Sequence, residues 1–299
     1  MLQSALQNAL RFTLQTTVKP LLRPGMPVGI QRALIRQAYR LSPPPRQCLF
    51  SRSKINNVPY MKVTHGAPNA TAMLYLHGGA YTIGSAQTHK GITGHIAKAS
   101  GGTIFVPDYR LAPEHPFPAA LEDALAIYRH LLGLGYRPNR ISIAGDSAGG
   151  GLTLALALKL KQEKLPLPGA LIMLSPWLDL THRHIHTPDI EPVLQLGWIR
   201  KAAENYCSGL SLEEPFISPL YGNIDGLPPM LIQAGTQEIL LNDARRLSEK
   251  ARLAGVNATL EEYTDLWHVF QIHAGPLDAA NEAIRRIAEH LAHYVNTPR

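Results

Sequence analysis

Cysteine is scarce in this chain: two residues, Cys48 and Cys207, in 299. Two cysteines so far apart make no disulfide framework, and no C-x-x-C or zinc-type spacing occurs. Both are read as reduced thiols, the pattern of a cytoplasmic protein. Long apolar runs are missing too. None reaches the roughly 20 residues of a membrane-spanning helix, so no stable membrane insertion is expected. The first twenty residues lack a basic start, and Gln3, Ser4, Gln7 and Asn8 interrupt any apolar stretch, which argues against a secretory signal. No cluster of Lys and Arg is long enough to track a nucleic acid, although 29 of them against 22 Asp and Glu leave a formal charge of +7. That excess reads as a mildly basic solvated surface, and no nucleic-acid partner is expected. Repeats and low-complexity tracts are also absent.

What is present is an alternation. Short apolar runs at 72–76, 103–106, 141–144, 170–174, 230–234 and 258–263 read as strands. Helix-length stretches near 88–100, 118–132, 147–163, 242–254 and 277–295 lie between or after them. Continuous apolar strands alternating with helices predict a mostly parallel central sheet flanked by helices on both faces. Two segments break the rhythm. Residues 1–45 carry leucines at 2, 6, 10 and 14, then a second helical piece from Ile30 to Leu41 with Ile30, Leu34, Ala38 and Leu41 on one face. Residues from about 182 to 216 hold several His and Pro and a helical patch from Trp198 to Tyr206. Both read as pieces of a lid over the sheet, the rest of 46–299 forming the main domain.

Gly145-Asp146-Ser147-Ala148-Gly149 matches G-x-S-x-G. Five residues alone are a weak signal. Here a strand precedes the motif and strong helix formers follow it, which is the setting of a nucleophile elbow. The turn is sharp, so side chains at 145 and 149 would collide with the neighbouring strand and helix. Ser147 is then a candidate nucleophile at a helix N-terminus, where the dipole favours a developing anion. The alternative is a glycine-rich turn that merely caps a helix. His77-Gly78-Gly79-Ala80 follows an earlier strand, in the place where lipases and esterases carry an oxyanion loop. Backbone N–H groups of Gly78 and Gly79, with Ala148, are the expected donors. The co-occurrence of both loops in this order lowers the chance that either is a plain turn.

A base should follow the last strand. His268, on a loop just past 258–263, ranks first; His273 lies five residues beyond, and His290 and His293 fall on the terminal helix. An acid should follow the strand at 230–234. Glu238 lies on the loop, where it can reach His268 Nδ1 and hold its tautomer. Asp243 lies deeper, in the first turn of a helix, where a carboxylate also has a purely structural use.

These motifs, with Asp108-Tyr109-Arg110-Leu111-Ala112-Pro113-Glu114, Phe117-Pro118-Ala119-Ala120, Asp123, Ser175-Pro176-Trp177, Asp179 and Phe270, resemble the hormone-sensitive-lipase-like esterases, the bacterial family IV group. The likeness spans about residues 70–275. It implies an α/β-hydrolase fold with a helical cap built from 1–45 and about 182–216. It also implies a serine carboxylesterase acting on short- to medium-chain acyl esters through an acyl-enzyme, with Ser147, Glu238 and His268 as its triad and no metal or cofactor. Ala80 departs from the usual Gly of the oxyanion motif, and Glu238-Ile239-Leu240 from the usual Asp-Pro-Leu; Asp243 stays the alternative acid. By resemblance Asp146, together with an Arg110–Glu114 pair, supports the oxyanion loop, but buried structural pairing of these polar groups is the preferred reading. Asp146 and Tyr81 are the substrate-binding candidates, and the partner is a small-molecule ester. A homodimer is admitted by resemblance only. The rival readings are a lipase or an amidase of the same fold, and a non-catalytic small-molecule-binding relative.

Overall fold

The computed structural model describes residues 2–39 and 42–295. Eight strands form one sheet: β1 (Cys48–Ile55), β2 (Val58–His65), β3 (Ala72–Leu76), β4 (Thr103–Pro107), β5 (Ile141–Asp146), β6 (Ala170–Leu174), β7 (Met230–Gly235) and β8 (Ala258–Tyr263). Their order is β1-β2-β4-β3-β5-β6-β7-β8. From β4 to β8 every pairing is parallel, and β1 and β2 run antiparallel at one edge. All six strands expected from apolar runs are present. The hairpin β1–β2 is additional. Its turn is Asn56-Asn57, both at positive φ, a two-residue connection that asparagine tolerates. β1 is largely exposed, so it carries no apolar run to announce it.

The parallel strands β3 to β7 are buried throughout because helices cover both faces, while the edge strand β8 is partly exposed. Successive side chains alternate between two cores. Met73 and Tyr75 of β3 join α3 (Lys90–Ser100) and α8 (Asp278–Tyr294) on one side. Leu74 and Leu76 join α4 (Ala119–Gly133), α5 (Ala148–Gln162) and α7 (Leu241–Leu253) on the other. In such a sheet ligands gather at the carboxyl ends of the strands. The motif loops after β3, β5, β6, β7 and β8 all emerge there.

Over that edge lie the two segments that break the alternation. The first holds α1 (Leu2–Thr13) and α2 (Val28–Ala38), joined through a π-turn at Leu14–Val18 and a 3₁₀ turn at Lys19–Leu21. The second holds α6 (Leu196–Cys207). The face expected for α2 is corrected: Ile30 and Leu34 are exposed, and the buried residues are Gln31 and Ile35. Leu41, assigned to the same face, lies outside the described residues. Gln31 explains the rotation. Its amide donates to Leu21 O and Arg23 O, and its oxygen accepts from Trp198 Nε1 of α6. A buried amide with its groups satisfied thereby joins the two segments.

Candidate active site

The turn between β5 and α5 brings Ser147 to φ 54°, ψ −122°, a strained conformation for a residue with a Cβ. Its backbone is held on three sides. Ser147 N–H donates to Leu174 O at 2.8 Å, and Ser147 O accepts from Gly151 N–H and Trp177 N–H. The turn is tight because its glycines touch backbone: a Cβ on Gly145 would stand 2.3 Å from Gly149 O.

The loop after β3 is clamped to this turn by Asp146, which is 1% exposed. Its carboxylate accepts Tyr75 Oη–H at 2.9 Å and Gly78 N–H at 3.1 Å, and His89 Nε2 lies 3.3 Å away. Burial alone would raise this carboxyl. The His89 charge and the hydrogen bonds from His89 and Tyr75 outweigh it and hold the group below the usual Asp range. Next in the loop, His77 stacks on Tyr109 with ring centroids 4.2 Å apart. Burial, with His89 nearby, lowers His77 to about 3, so it is neutral and its Nδ1–H donates to Gly78 O.

This geometry corrects one expected donor. Gly78 N–H is committed to Asp146 and does not face an incoming substrate. Gly79 and Ala80 line the cavity beside Ser147, whereas Gly78 does not. Three further assignments change. Tyr81 is not among the residues lining the cavity; it is buried and stacked on Tyr206 at 3.7 Å, under the loop. Asp146 does line the cavity, but its oxygens are occupied by the clamp. Arg110 and Glu114 are not partners. Arg110 pairs with Asp123 and Glu122, while Glu114 takes a bidentate pair from Arg32 of α2. Arg32 also donates to Thr82 O and Ala112 O, so it fastens the N-terminal segment to the loop beyond the glycines.

His268 and Glu238 approach from the ends of β8 and β7. Their two loops are zipped together: Thr236 N–H donates to Tyr263 O, Gln237 N–H to Leu266 O, and Asp265 N–H to Thr236 Oγ1. Glu238 is fully buried, with its Oε2 3.4 Å from His268 Nδ1. That is ion-pair range without hydrogen-bond alignment, a looseness common where substrate is not bound. Behind His268, Val269 takes a left-handed conformation, unusual for a β-branched residue, and its N–H is held by Ser175 Oγ at 3.0 Å. Asp243 points elsewhere. Its Oδ2 accepts Leu178 N–H and Asp179 N–H at 2.8 and 2.9 Å, and burial raises its carboxyl from 3.8 to about 7. Between those two values the folded state keeps a proton that the unfolded chain has lost, so wild-type stability falls as pH rises across this window. Asp243→Asn keeps an acceptor for both N–H groups and carries no charge. Its urea midpoint relative to wild type is therefore expected to be higher at pH 8 than at pH 5; a difference that does not change with pH would refute the assignment.

Ser147, His268, Gly79 and Ala80 open on one cavity of about 240 Å³. Its walls are apolar and come from both irregular segments: Leu10, Leu14 and Val18 with Ile35 from the first, Val193, Leu194 and Trp198 from the second. His273, the second-ranked base, lines the same cavity, but burial lowers it to about 4 and it has no carboxylate beside it among the described residues.

Residues 73–272 match the family model described as the alpha/beta hydrolase fold. An acetyl-hydrolase of Streptomyces hygroscopicus is 41% identical over 215 residues, covering 71% of this chain and 72% of that one. The crystal structure of EstE5 superposes with a TM-score of 0.91 at 36% identity, over 97% of this chain and 99% of that one. An esterase from the bacterial hormone-sensitive lipase family gives 0.89 at 37% identity, over 97% and 98%.

Proposed function

Because this chain belongs to the α/β-hydrolase family and is a carboxylic ester hydrolase akin to the hormone-sensitive-lipase esterases, we propose that it cleaves short- to medium-chain acyl esters through an acyl-enzyme on Ser147. His268 takes the proton of Ser147 Oγ as that oxygen attacks the ester carbonyl. Glu238 accepts from His268 Nδ1–H, fixes the tautomer and stabilises the imidazolium. Backbone N–H groups of Gly79, Ala80 and Ala148 stabilise the tetrahedral oxyanion. His268 then protonates the departing alcohol, and water repeats the sequence on the acyl-enzyme. Residues 1–45 and about 182–216 act as the cap, whose apolar walls receive the acyl chain.

The observation that supports this most is the meeting of Ser147 and His268 on one apolar cavity, with a fully buried Glu238 at 3.4 Å from His268 Nδ1. Buried carboxylates are rarely left without a partner, and the imidazole is the partner within reach. The experiment is hydrolysis of para-nitrophenyl esters from acetate to palmitate by wild type, Glu238→Gln and Asp243→Asn, with an emulsified long-chain triglyceride beside them. Turnover should peak at short to medium chains. Glu238→Gln should lose about 10³-fold in kcat or more, and Asp243→Asn should stay within about threefold of wild type. Loss specific to Asp243→Asn would move the acid, and a preference for the emulsion would make the protein a lipase. Both thiols are free, and we place the protein in the cytoplasm, as a homodimer by resemblance, which sedimentation equilibrium tests.

A further inference from the structure

Glu191 lies in the second irregular segment, 9% exposed, and takes no part in the chemistry above. Its two oxygens serve two different places. Oε1 accepts Val193 N–H at 2.7 Å and Leu194 N–H at 3.0 Å, on the cavity wall. Oε2 accepts Ile239 N–H at 2.9 Å, one residue beyond Glu238. His186 N–H of the same segment donates to Ile239 O at 3.0 Å, so residue 239 is gripped at both its N–H and its carbonyl. The backbone of Glu191 is also fastened: Lys19 Nζ donates to Glu191 O, and Gln195 Nε2 donates to Lys19 O.

Glu238 needs such a grip. Among the described residues no hydrogen-bond donor orients its carboxylate, and His268 Nδ1 at 3.4 Å is its one basic neighbour within ion-pair reach. Its aim must then come from the backbone on either side. On one side Gln237 N–H is held by Leu266 O. On the other, Ile239 N–H is held by Glu191. We infer that Glu191 is a positioning residue, which locks the Glu238 loop to the cap wall so that Glu238 faces His268; this rests on the roles given to Glu238 and His268 above.

Burial raises the Glu191 carboxyl, while the His268 charge and the three N–H donors act against it. A positioning role has a kinetic signature that a loss of packing lacks: kcat per competent site falls while KM is nearly unchanged, and the variant that keeps an acceptor oxygen recovers part of the rate.

The test compares Glu191→Gln and Glu191→Ala with wild type on para-nitrophenyl butyrate at one neutral pH. Thermal unfolding and a phosphonate titration of competent sites accompany the rates. Glu191→Ala should lose about 10- to 100-fold in kcat per titrated site, with KM within about threefold, since displacement of a catalytic group by an ångström costs that much. Glu191→Gln retains one acceptor oxygen and should lose less. Unchanged kcat per site in folded variants would overturn the inference. So would a loss wholly explained by fewer competent sites. Glu238→Gln separates the two levels: if it is inactive while both Glu191 variants behave as wild type, the positioning role alone fails, and if it stays active, both fail.

Discussion

Ser147→Ala is expected to lower kcat/KM on a para-nitrophenyl ester by about 10⁴-fold or more while shifting Tm by no more than about 2 °C. The contrast follows from what the residue touches. Its structural contacts are backbone ones, from Ser147 N–H to Leu174 O and from Gly151 and Trp177 N–H to Ser147 O, and alanine keeps them all. The strain at φ 54° is carried by the Cβ, which alanine also has. What disappears is one hydroxyl on the cavity. His268→Ala should lose as much, and the double variant no more than either, because nucleophile and base act as one unit. The residual rate above solvent would come from Gly79, Ala80 and Ala148 as oxyanion donors. Steady-state kinetics with a calorimetric scan of each variant checks the set. A folded Ser147→Ala protein within tenfold of wild type would remove the acyl-enzyme from the account.

The features legible in the sequence are those whose physics is local. Five strands announced themselves because a strand covered on both faces must be apolar along its length, as at 170–174; the sixth, at 258–263, is a partly exposed edge strand. The elbow and the glycine loop were legible because a tight turn restricts residue type at fixed spacing. The preference for Glu238 over Asp243 came from its place on a loop; in the fold Glu238 lies by His268, while Asp243 binds the backbone at 178 and 179. The readings that changed depend on contacts distant in the chain. Which N–H of the loop remains free is decided by the Asp146 carboxylate, 68 residues away from Gly78. Tyr81 turned under the loop because Tyr206 offers it a stacking partner. Glu114 left Arg110 for Arg32, 82 residues earlier. In the β1–β2 hairpin β1 is largely exposed and carries no apolar run, although the Asn56-Asn57 turn and the buried Val58, Tyr60, Met61 and Val63 of β2 were signals that could have been used. Glu191, a single acid in an irregular segment, had no pattern to mark it.

Gly149→Ala is the second large effect, and it bears on stability. A Cβ built there would stand 1.9 Å from Leu76 O and 2.7 Å from His77 O. Both atoms are backbone, in the last residue of β3 and the first of the glycine loop, so no side chain can swing aside to relieve the contact. Alanine is the better helix former by about 1 kcal/mol, which acts in the opposite direction. Overpacking of a rigid site typically costs about 1–3 kcal/mol, occasionally more, and a backbone clash this close belongs at the upper end. The net expectation is a loss of about 2 kcal/mol or more in urea unfolding. Gly133, at the end of α4, is the control: a Cβ there meets nothing within 4 Å, and Gly133→Ala should gain about 0.5–1 kcal/mol. Opposite signs for the two substitutions would tie the cost at 149 to the elbow and not to glycine replacement as such. Activity should fall with stability at 149, because relief of the clash must push Leu76 and His77 outward and carry Gly79 and Ala80 with them. A Gly149→Ala protein as stable and as active as wild type would mean that the helix after Ser147 does not pack against the β3 loop as closely as the two glycines of the elbow require.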